Sequence, residues 1–517
     1  MKSKTTGFLL ALAIIFLPIS IHAAEPKRGG TLRLAVSRNL TTLNPFVNSH
    51  TVDLNVRSLV YEELMAYDRD LDPLPALASS WTVSPDGKTY TFTLRPGVRF
   101  HNGKLLSPAD VKWSIDYAQE PKNAGFGLGD LAIIEKMDVE EPDRIRIRLK
   151  SPFSPFLSSI GGIHFFSVIP KDSLKTGEKP EAFPPGTGPF RFVSWRAGQE
   201  LTVARFEGYW QKGLPYLNDV RFLVVTEETA RVNGVRAGDL DLVERIPMDQ
   251  MVRIRDGKSP GLSYAMSLGN GHPRMGINHC RPPFNNLKVR HALAFALDKQ
   301  EILDGVYSGL GYPTNQKLLK GTKWFISEVP ERKQDIGKAK ALLAEAGYPD
   351  GLKVTVSGRV GHEKILQVIQ SQARKAGIEM TILIRDNPSH LAAMTNADFQ
   401  VSMSGGTTGP DPDLAYYGYY HTPAPERWGK GGRNEPCYSN ARVDRLLEEA
   451  RRIADFQQRR RMYKEVVEIL EEEVADLPIA FVPNGFAFQN YVRDFEPTTT
   501  EVYSYGNGGV LKTWIDK

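Results

Sequence analysis

The chain has 517 residues, 41% hydrophobic and 24% charged, with 45 Gly and 35 Pro and a formal net charge of +5. These are globular values, which exclude a disordered, collagenous or coiled-coil chain, and at about 150 residues per domain they call for two to four folded units. Two cysteines exclude a disulfide scaffold or a zinc ribbon, and so small a charge gives no reason to expect nucleic acid.

The N-terminus sets a compartment. Lys2 and Lys4 form a positive start, residues 7–21 are apolar and broken by Pro18, and Ala23 or Ala24 offers a small residue for cleavage. That is the pattern of a secretory signal peptide over residues 1–23. The run is short of the ~20 apolar residues a membrane span needs, and no later segment approaches that length. No cysteine follows the cleavage point to carry a lipid. An exported, soluble, periplasmic protein is expected. In that oxidising space Cys280 and Cys437 are open to two readings, a disulfide or two reduced thiols.

Residues 31–36 alternate apolar and polar and predict a first strand, and residues 52–65 a helix. Residues 81–95 read as a hairpin about Ser84-Pro85-Asp86-Gly87, whose Pro and Gly suit a type I turn. Ser107, Pro108 and Asp110 open a helix with a capping-box pattern. Residues 144–150 alternate strictly, which reads as a strand with one solvated basic face. Residues 190–206 form another hairpin turning at 197–199, and residues 286–307 read as one helix. From residue 338 helices and strands alternate: a helix to Gly347, a strand at 353–357, a helix at 363–377, and strands at 378–384 and 399–403. Amphipathic helices follow at 443–454 and 462–474, with Arg451, Arg452, Arg459, Arg460 and Arg461 on their polar faces. The chain thus changes character near residue 270, from hairpins to α/β alternation.

Local catalytic motifs are missing. There is no GxSxG elbow, no Walker loop and no GxGxxG. His362-Glu363 begins like a zinc helix, but Leu366 stands where the second histidine belongs. The glycine-rich stretches 125–129 and 429–432 lack a phosphate-binding lysine and Ser/Thr and read as surface loops. Nine histidines beyond the signal are scattered, with only His50, His279 and His421 as a set for the fold to gather.

At ASSW (78–81), SPDGKTYTFTLR (84–95), GVRFHNG (97–103) and SPADVKWS (107–114) the chain closely resembles the family 5 extracellular solute-binding proteins, the dipeptide/oligopeptide-type binding components of ABC importers. Further matches run in order: GGTL (29–32), LNP (43–45), GTGPF (186–190), EGYW (207–210), PFNNLKVRHAL (283–293), ALD (296–298), residues 339–347, DPD (411–413) and YSNARVDRLL (438–447). The resemblance implies an α/β, two-lobed periplasmic binding protein fold of type II, cluster C-like. Its first lobe spans 24–269 and carries a hairpin-rich subdomain at about 66–187. The second lobe spans 270–485, and 486–517 return to the first. It implies a monomer that captures a solute between the lobes and hands it to an inner-membrane permease and its ATPase, with no metal, cofactor, nucleic acid or catalysis. A peptide or peptide-like ligand ranks first. An opine, oligosaccharide, glutathione-like solute or metal chelate ranks second, and an exported hydrolase is a distant third.

Three segments are the expected binding residues by position in the family pattern. They are Asn48, Ser49, His50 and Thr51 before the first helix, Ser357 and Arg359 at a strand end, and Ser404, Gly405, Gly406 and Thr407 leading to Asp411. Arg359 suits a carboxylate or phosphate through two parallel hydrogen bonds. The third segment departs from the peptide-binding pattern. Gly406 stands where those relatives carry Trp, and Gly409 or Pro410 where an Asp captures the peptide's amino group; Asp411 and Asp413 match the turn that follows. Tyr416, Tyr417, Tyr419, Tyr420 and Trp428 read as core packing in preference to a stacking platform.

Overall fold

The strand Thr31–Val36 buries Leu32, Leu34 and Val36 and lies between two parallel neighbours, Asp219–Val224 and Leu242–Glu244. Around it a computed structural model of the chain builds a seven-stranded sheet. One side continues antiparallel through Glu200–Arg205 and Phe190–Arg196, the other through Pro483–Gln489 and Leu262–Leu268. The structure describes residues 25–47, 51–120, 122–123, 128–161, 166–175, 183–268, 271–422, 437–497 and 509–517. The signal-like segment, Asn48, Ser49, His50, Trp428 and the loop 429–432 lie outside the described residues.

A second, five-stranded sheet has the order Ile378–Arg385, Leu352–Arg359, Val401–Thr407, Gly271–Ile277, Asp476–Pro478. Its first three strands are parallel, and the helix Glu363–Lys375 packs on them. Separate apolar cores underlie the two sheets. The chain passes from one sheet to the other twice, between Leu268 and Gly271 and between Pro478 and Pro483.

A third sheet holds the hairpin region: Ala78–Val83, Thr89–Leu94, Arg144–Leu149 and Ile134–Glu140, all antiparallel. Ile145, Ile147 and Leu149 are buried, while Arg146 and Arg148 face outward against Glu140 and Glu135 at 2.8 and 3.1 Å. Asp110 ties this region together. Its buried carboxylate accepts from the Ser107 amide at 2.9 Å, the Ser107 hydroxyl at 2.7 Å, the Lys171 amide at 2.7 Å and Lys104 Nζ at 2.6 Å. His101 joins it to the first sheet: the Gly186 amide donates to Nδ1 at 3.3 Å, and Nε2 lies 2.9 Å from the Gly188 carbonyl. Gly186 has to be glycine, since a Cβ there would lie 1.9 Å from the Val60 carbonyl oxygen.

The helix expected over 286–307 is two helices, Leu287–Ala296 and Lys299–Tyr307. Leu297 stays buried, so the apolar period runs through the break; Asp298 caps the second helix by accepting from the Glu301 amide at 3.0 Å. The last long helix starts earlier than expected, at Phe456, because Asp455 caps it. Several short helices escaped the sequence reading, among them the pair Asn387–Thr395 and Asp413–Tyr420. The second places Tyr416, Tyr419 and Tyr420 in a buried cluster with Tyr438 and Tyr463.

Candidate functional site

Ligands of open sheets bind beyond the carboxyl ends of parallel strands, where chain direction diverges. The first sheet offers such a place after Val36 and Glu244. The Ser37 amide and hydroxyl both donate to Glu244 Oε1, at 2.9 and 2.8 Å, and pin the two strand ends together. Arg38 and Arg245 follow directly. Arg245 has φ +51°, an uncommon left-handed conformation for a non-glycine residue. The guanidinium of Arg231 props this turn by donating to the carbonyls of Val225 and Thr226 at 2.8 Å, Arg245 at 3.1 Å and Glu244 at 3.2 Å.

In the second sheet the strand Leu352–Arg359 is flanked on both sides by parallel partners. Arg359 is its last residue and pairs in register with Arg385. Its Nε reaches His362 Nε2 at 3.3 Å and its Nη1 reaches Asn387 Oδ1 at 3.3 Å. Burial lowers the Arg359 pKa first, and the positive charges of Arg38 and Arg245 lower it further. Arg38 and Arg245 thus lie within electrostatic reach of Arg359. Burial, with Arg359 next, holds His362 down at about 4, and His390, 6.2 Å away ring to ring, is also lowered. Both imidazoles are neutral at pH 7.

Beside these, Gly406 pairs with His272 across the antiparallel strands, and a Cβ on Gly406 would lie 2.0 Å from His272 Nε2. The histidine ring thus takes the space beside the Gly406 backbone. His272 is buried, its pKa pushed down to about 3 by burial and then by Lys317, and neither ring nitrogen has a hydrogen-bond partner among the described residues. Below it Asp476 meets Arg274 at 3.3 Å, Lys317 at 3.5 Å and the Tyr420 hydroxyl at 2.7 Å. Burial works to raise Asp476, but Lys317 and Arg274 outweigh it and hold the carboxyl below its usual range.

The expected residues fare differently. Thr51 opens the helix Thr51–Val60. Ser357 is buried, its hydroxyl 3.4 Å from the Val401 carbonyl, within the sheet. Arg359 and the strand carrying Ser404, Gly405, Gly406 and Thr407 are brought to one end of the sheet; Gly405 is exposed and the Ser404 hydroxyl is buried without a hydrogen bond among the described residues. Asp411 is already engaged: Arg459 grips it with two hydrogen bonds of 2.8 Å. Arg451 holds Asp413 in the same way, at 2.7 and 2.8 Å. The Asp411 carboxylate closes an internal ion pair. His279 and His421 do not meet; one contacts the Ala475 carbonyl and the other Glu448. Arg38, Arg245, His272 and His390, which adjoin these residues, were not singled out in the sequence. The cue for the two arginines is that each follows a short apolar strand.

The hairpin region also touches the second half far from the crossings. The Ser154 amide donates to the Arg451 carbonyl at 2.7 Å, its hydroxyl to the Ile453 carbonyl at 2.5 Å, and Lys323 pairs with Asp72. Cys280 and Cys437 are free thiols; burial and then the Cys280 thiol push Cys437 up to about 12, and the adjoining rings of His279 and Tyr438 stand 5.5 Å apart. No helix among the described residues is long and apolar enough to cross a membrane, and no group of three His, Cys, Asp or Glu is placed to hold a metal ion.

Comparison with known proteins places this arrangement. A family model described as bacterial extracellular solute-binding proteins, family 5 Middle, matches residues 72–426. The glutathione-binding protein GsiB of Salmonella paratyphi A is 31% identical over 479 residues, covering 90% of this chain and 92% of its own. Among solved structures, the substrate-binding protein CtaP of Listeria monocytogenes superposes with a TM-score of 0.83 at 26% identity, covering 95% of this chain and 100% of its own. The binding protein AgaA of A. tumefaciens R10, in complex with agropinic acid, gives 0.80 at 27%, covering 94% and 99%.

Proposed function

The chain belongs to the family 5 bacterial extracellular solute-binding proteins, and from that premise we propose how it captures its solute. Proteins of this family are periplasmic and deliver solutes to an ABC permease and its ATPase. We read residues 1–23 as a cleaved export signal. Residues 24–269 with 486–517 form one lobe and 270–485 the other. The two crossings near 270 and 482 act as the hinge. The solute lies between the carboxyl ends of the two sheets, against Arg359 and the Ser404–Thr407 segment, and closure buries it. A ligand that touches both lobes stabilises the closed form by its differential affinity. The cycle is capture and release, with no bond chemistry.

The observation that carries this reading is that Arg359 ends the central parallel strand of one sheet, while Arg38 and Arg245, which follow parallel strands of the other, act on its charge. A small peptide-like solute fits best. Anchoring a free ammonium would need a carboxylate facing the cleft, and Asp411 and Asp413 are both paired with arginines. Glutathione, the ligand in the name of the 31% identical relative, is the first compound to test. In a thermal-shift titration a true ligand at 100 times its Kd adds about 2.7 kcal/mol of stability. The solute is recovered intact after incubation. Its consumption would instead favour an exported hydrolase.

A further inference from the structure

The second half of the chain has two apolar cores, and one cysteine adjoins each. Cys280 follows the strand Gly271–Ile277, whose Met275 and Ile277 belong to the core of the second sheet. Cys437 precedes Tyr438, which belongs to the cluster with Tyr420 and Tyr463. The two stretches are fixed side by side. The rings of His279 and Tyr438 meet edge to face, 5.5 Å apart and at 83°. Both residues are tied to the end of the last long helix. His279 Nε2 lies 2.9 Å from the Ala475 carbonyl, and the Tyr438 hydroxyl donates to Glu473 Oε2 at 2.5 Å. The Cys280 backbone is set by its amide, which donates to Asn278 Oδ1 at 3.0 Å. Cys437 is held at φ +56°, a conformation that non-glycine residues rarely adopt. The two thiols come within hydrogen-bond reach of each other. A disulfide needs its Cβ atoms about 3.5–4.5 Å apart, so thiols in such contact need only a small approach.

We propose that Cys280 and Cys437 are joined by a disulfide in the exported protein, as a staple between the two cores of its second half. The inference rests on the export reading above, since disulfides persist in an oxidising compartment. Cys280 is exposed and Cys437 half-buried, so an oxidant reaches Cys280 first. The Cys280 thiolate attacks a disulfide carried by a protein or small molecule of that compartment and expels one of its sulfurs as thiolate. The Cys437 thiol then attacks the Cys280 sulfur of the mixed disulfide and gives its proton to the second departing thiolate. One S–S bond forms as another breaks. Two electrons and two protons pass to the oxidant, which leaves with two thiols. The bridge closes the loop from 280 to 437, and so long a loop takes much freedom from the unfolded chain.

The test starts from the full chain isolated without reductant from its own compartment. It is denatured and alkylated, and its intact mass and proteolytic peptides are read. The expected result is no alkylation without reductant, two alkyl groups after reduction, and one linked pair of peptides holding Cys280 and Cys437. Two alkylated cysteines without reductant, on a chain that has lost residues 1–23, overturn the bridge and leave export standing. On a chain that keeps those residues they overturn both. A small thiol or a second chain bound to Cys280, with Cys437 alkylated, overturns the bridge as well. A thermal melt then measures the staple. Reductant is expected to lower the melting temperature of the parent by at least about 4 °C and to leave that of the double variant Cys280→Ser with Cys437→Ser unchanged. No fall in the parent, or an equal fall in both, overturns the staple.

Discussion

Two sets of arginines in this molecule have opposite surroundings. Arg451 and Arg459, in the second half, each hold a carboxylate through two hydrogen bonds and are packed against aromatic rings, Arg451 over Tyr417 at 3.2 Å and Arg459 over Trp324 at 5.0 Å. Arg38, Arg245 and Arg359, at the strand ends, have no carboxylate partner among the described residues. The residue type is the same; what differs is whether the fold supplies the counter-charge. Where it does, the arginine builds the lobe. Where it does not, the arginine stands at a strand end without an ion pair among the described residues.

The sharpest way to break this contrast is to remove one half of a closed pair. Asp411→Ala strands Arg459 in a buried site and should destabilise the protein by about 3–5 kcal/mol, read as a shift of the denaturant midpoint at constant slope. The double change Asp411→Ala with Arg459→Leu should be milder. A loss under 1 kcal/mol in the single variant would mean the pair is dispensable. The strand-end arginines should behave in reverse, with binding lost and stability kept.

A smaller effect probes the floor of the cleft. Gly406→Ala drives a methyl group into His272 and should cost about 1–3 kcal/mol by overpacking. His272→Ala in the same chain should recover most of that in a thermal melt. If the double variant melts no higher than Gly406→Ala, the clash lies elsewhere.

A pH effect is of comparable size per residue. His101, His279, His291 and His362 are each held down at about 4, burial being the main cause. Unfolded, they titrate near 6.5, so between these values the unfolded chain binds more protons than the folded one. Their contribution is complete above about pH 6.5 and is lost as the pH falls toward 4. A urea midpoint that stays flat from pH 7 to 4.5 would contradict this placement. At the low end, the exposed pair of Arg442 and Glu465, bonded at 2.7 and 2.9 Å, is screened by solvent; Arg442→Ala should leave the melting temperature unchanged within error.

Much of the fold was legible because its signals are local. Alternation marked the strands at residues 89–94 and 144–149, and Ser107 with Asp110 marked a helix start. The break at Leu297–Asp298 was hidden because Leu297 keeps the apolar period, and only the capping aspartate betrays it. The site was legible at Arg359, where a strand visibly ends. Its companions were not, because Arg38 and Arg245 lie in another sheet and more than 100 residues distant, and sequence carries no local trace of that approach. The pairing of Asp411 with Arg459 is hidden for the same reason. A motif position names a residue's place, not whether its charge is already satisfied.

The most direct test of the account is native mass spectrometry of the protein isolated without denaturation from its own compartment, with the released solute identified by fragmentation. The account predicts a retained small solute that is absent from Arg359→Gln prepared in parallel. A solute held equally by that variant would contradict it.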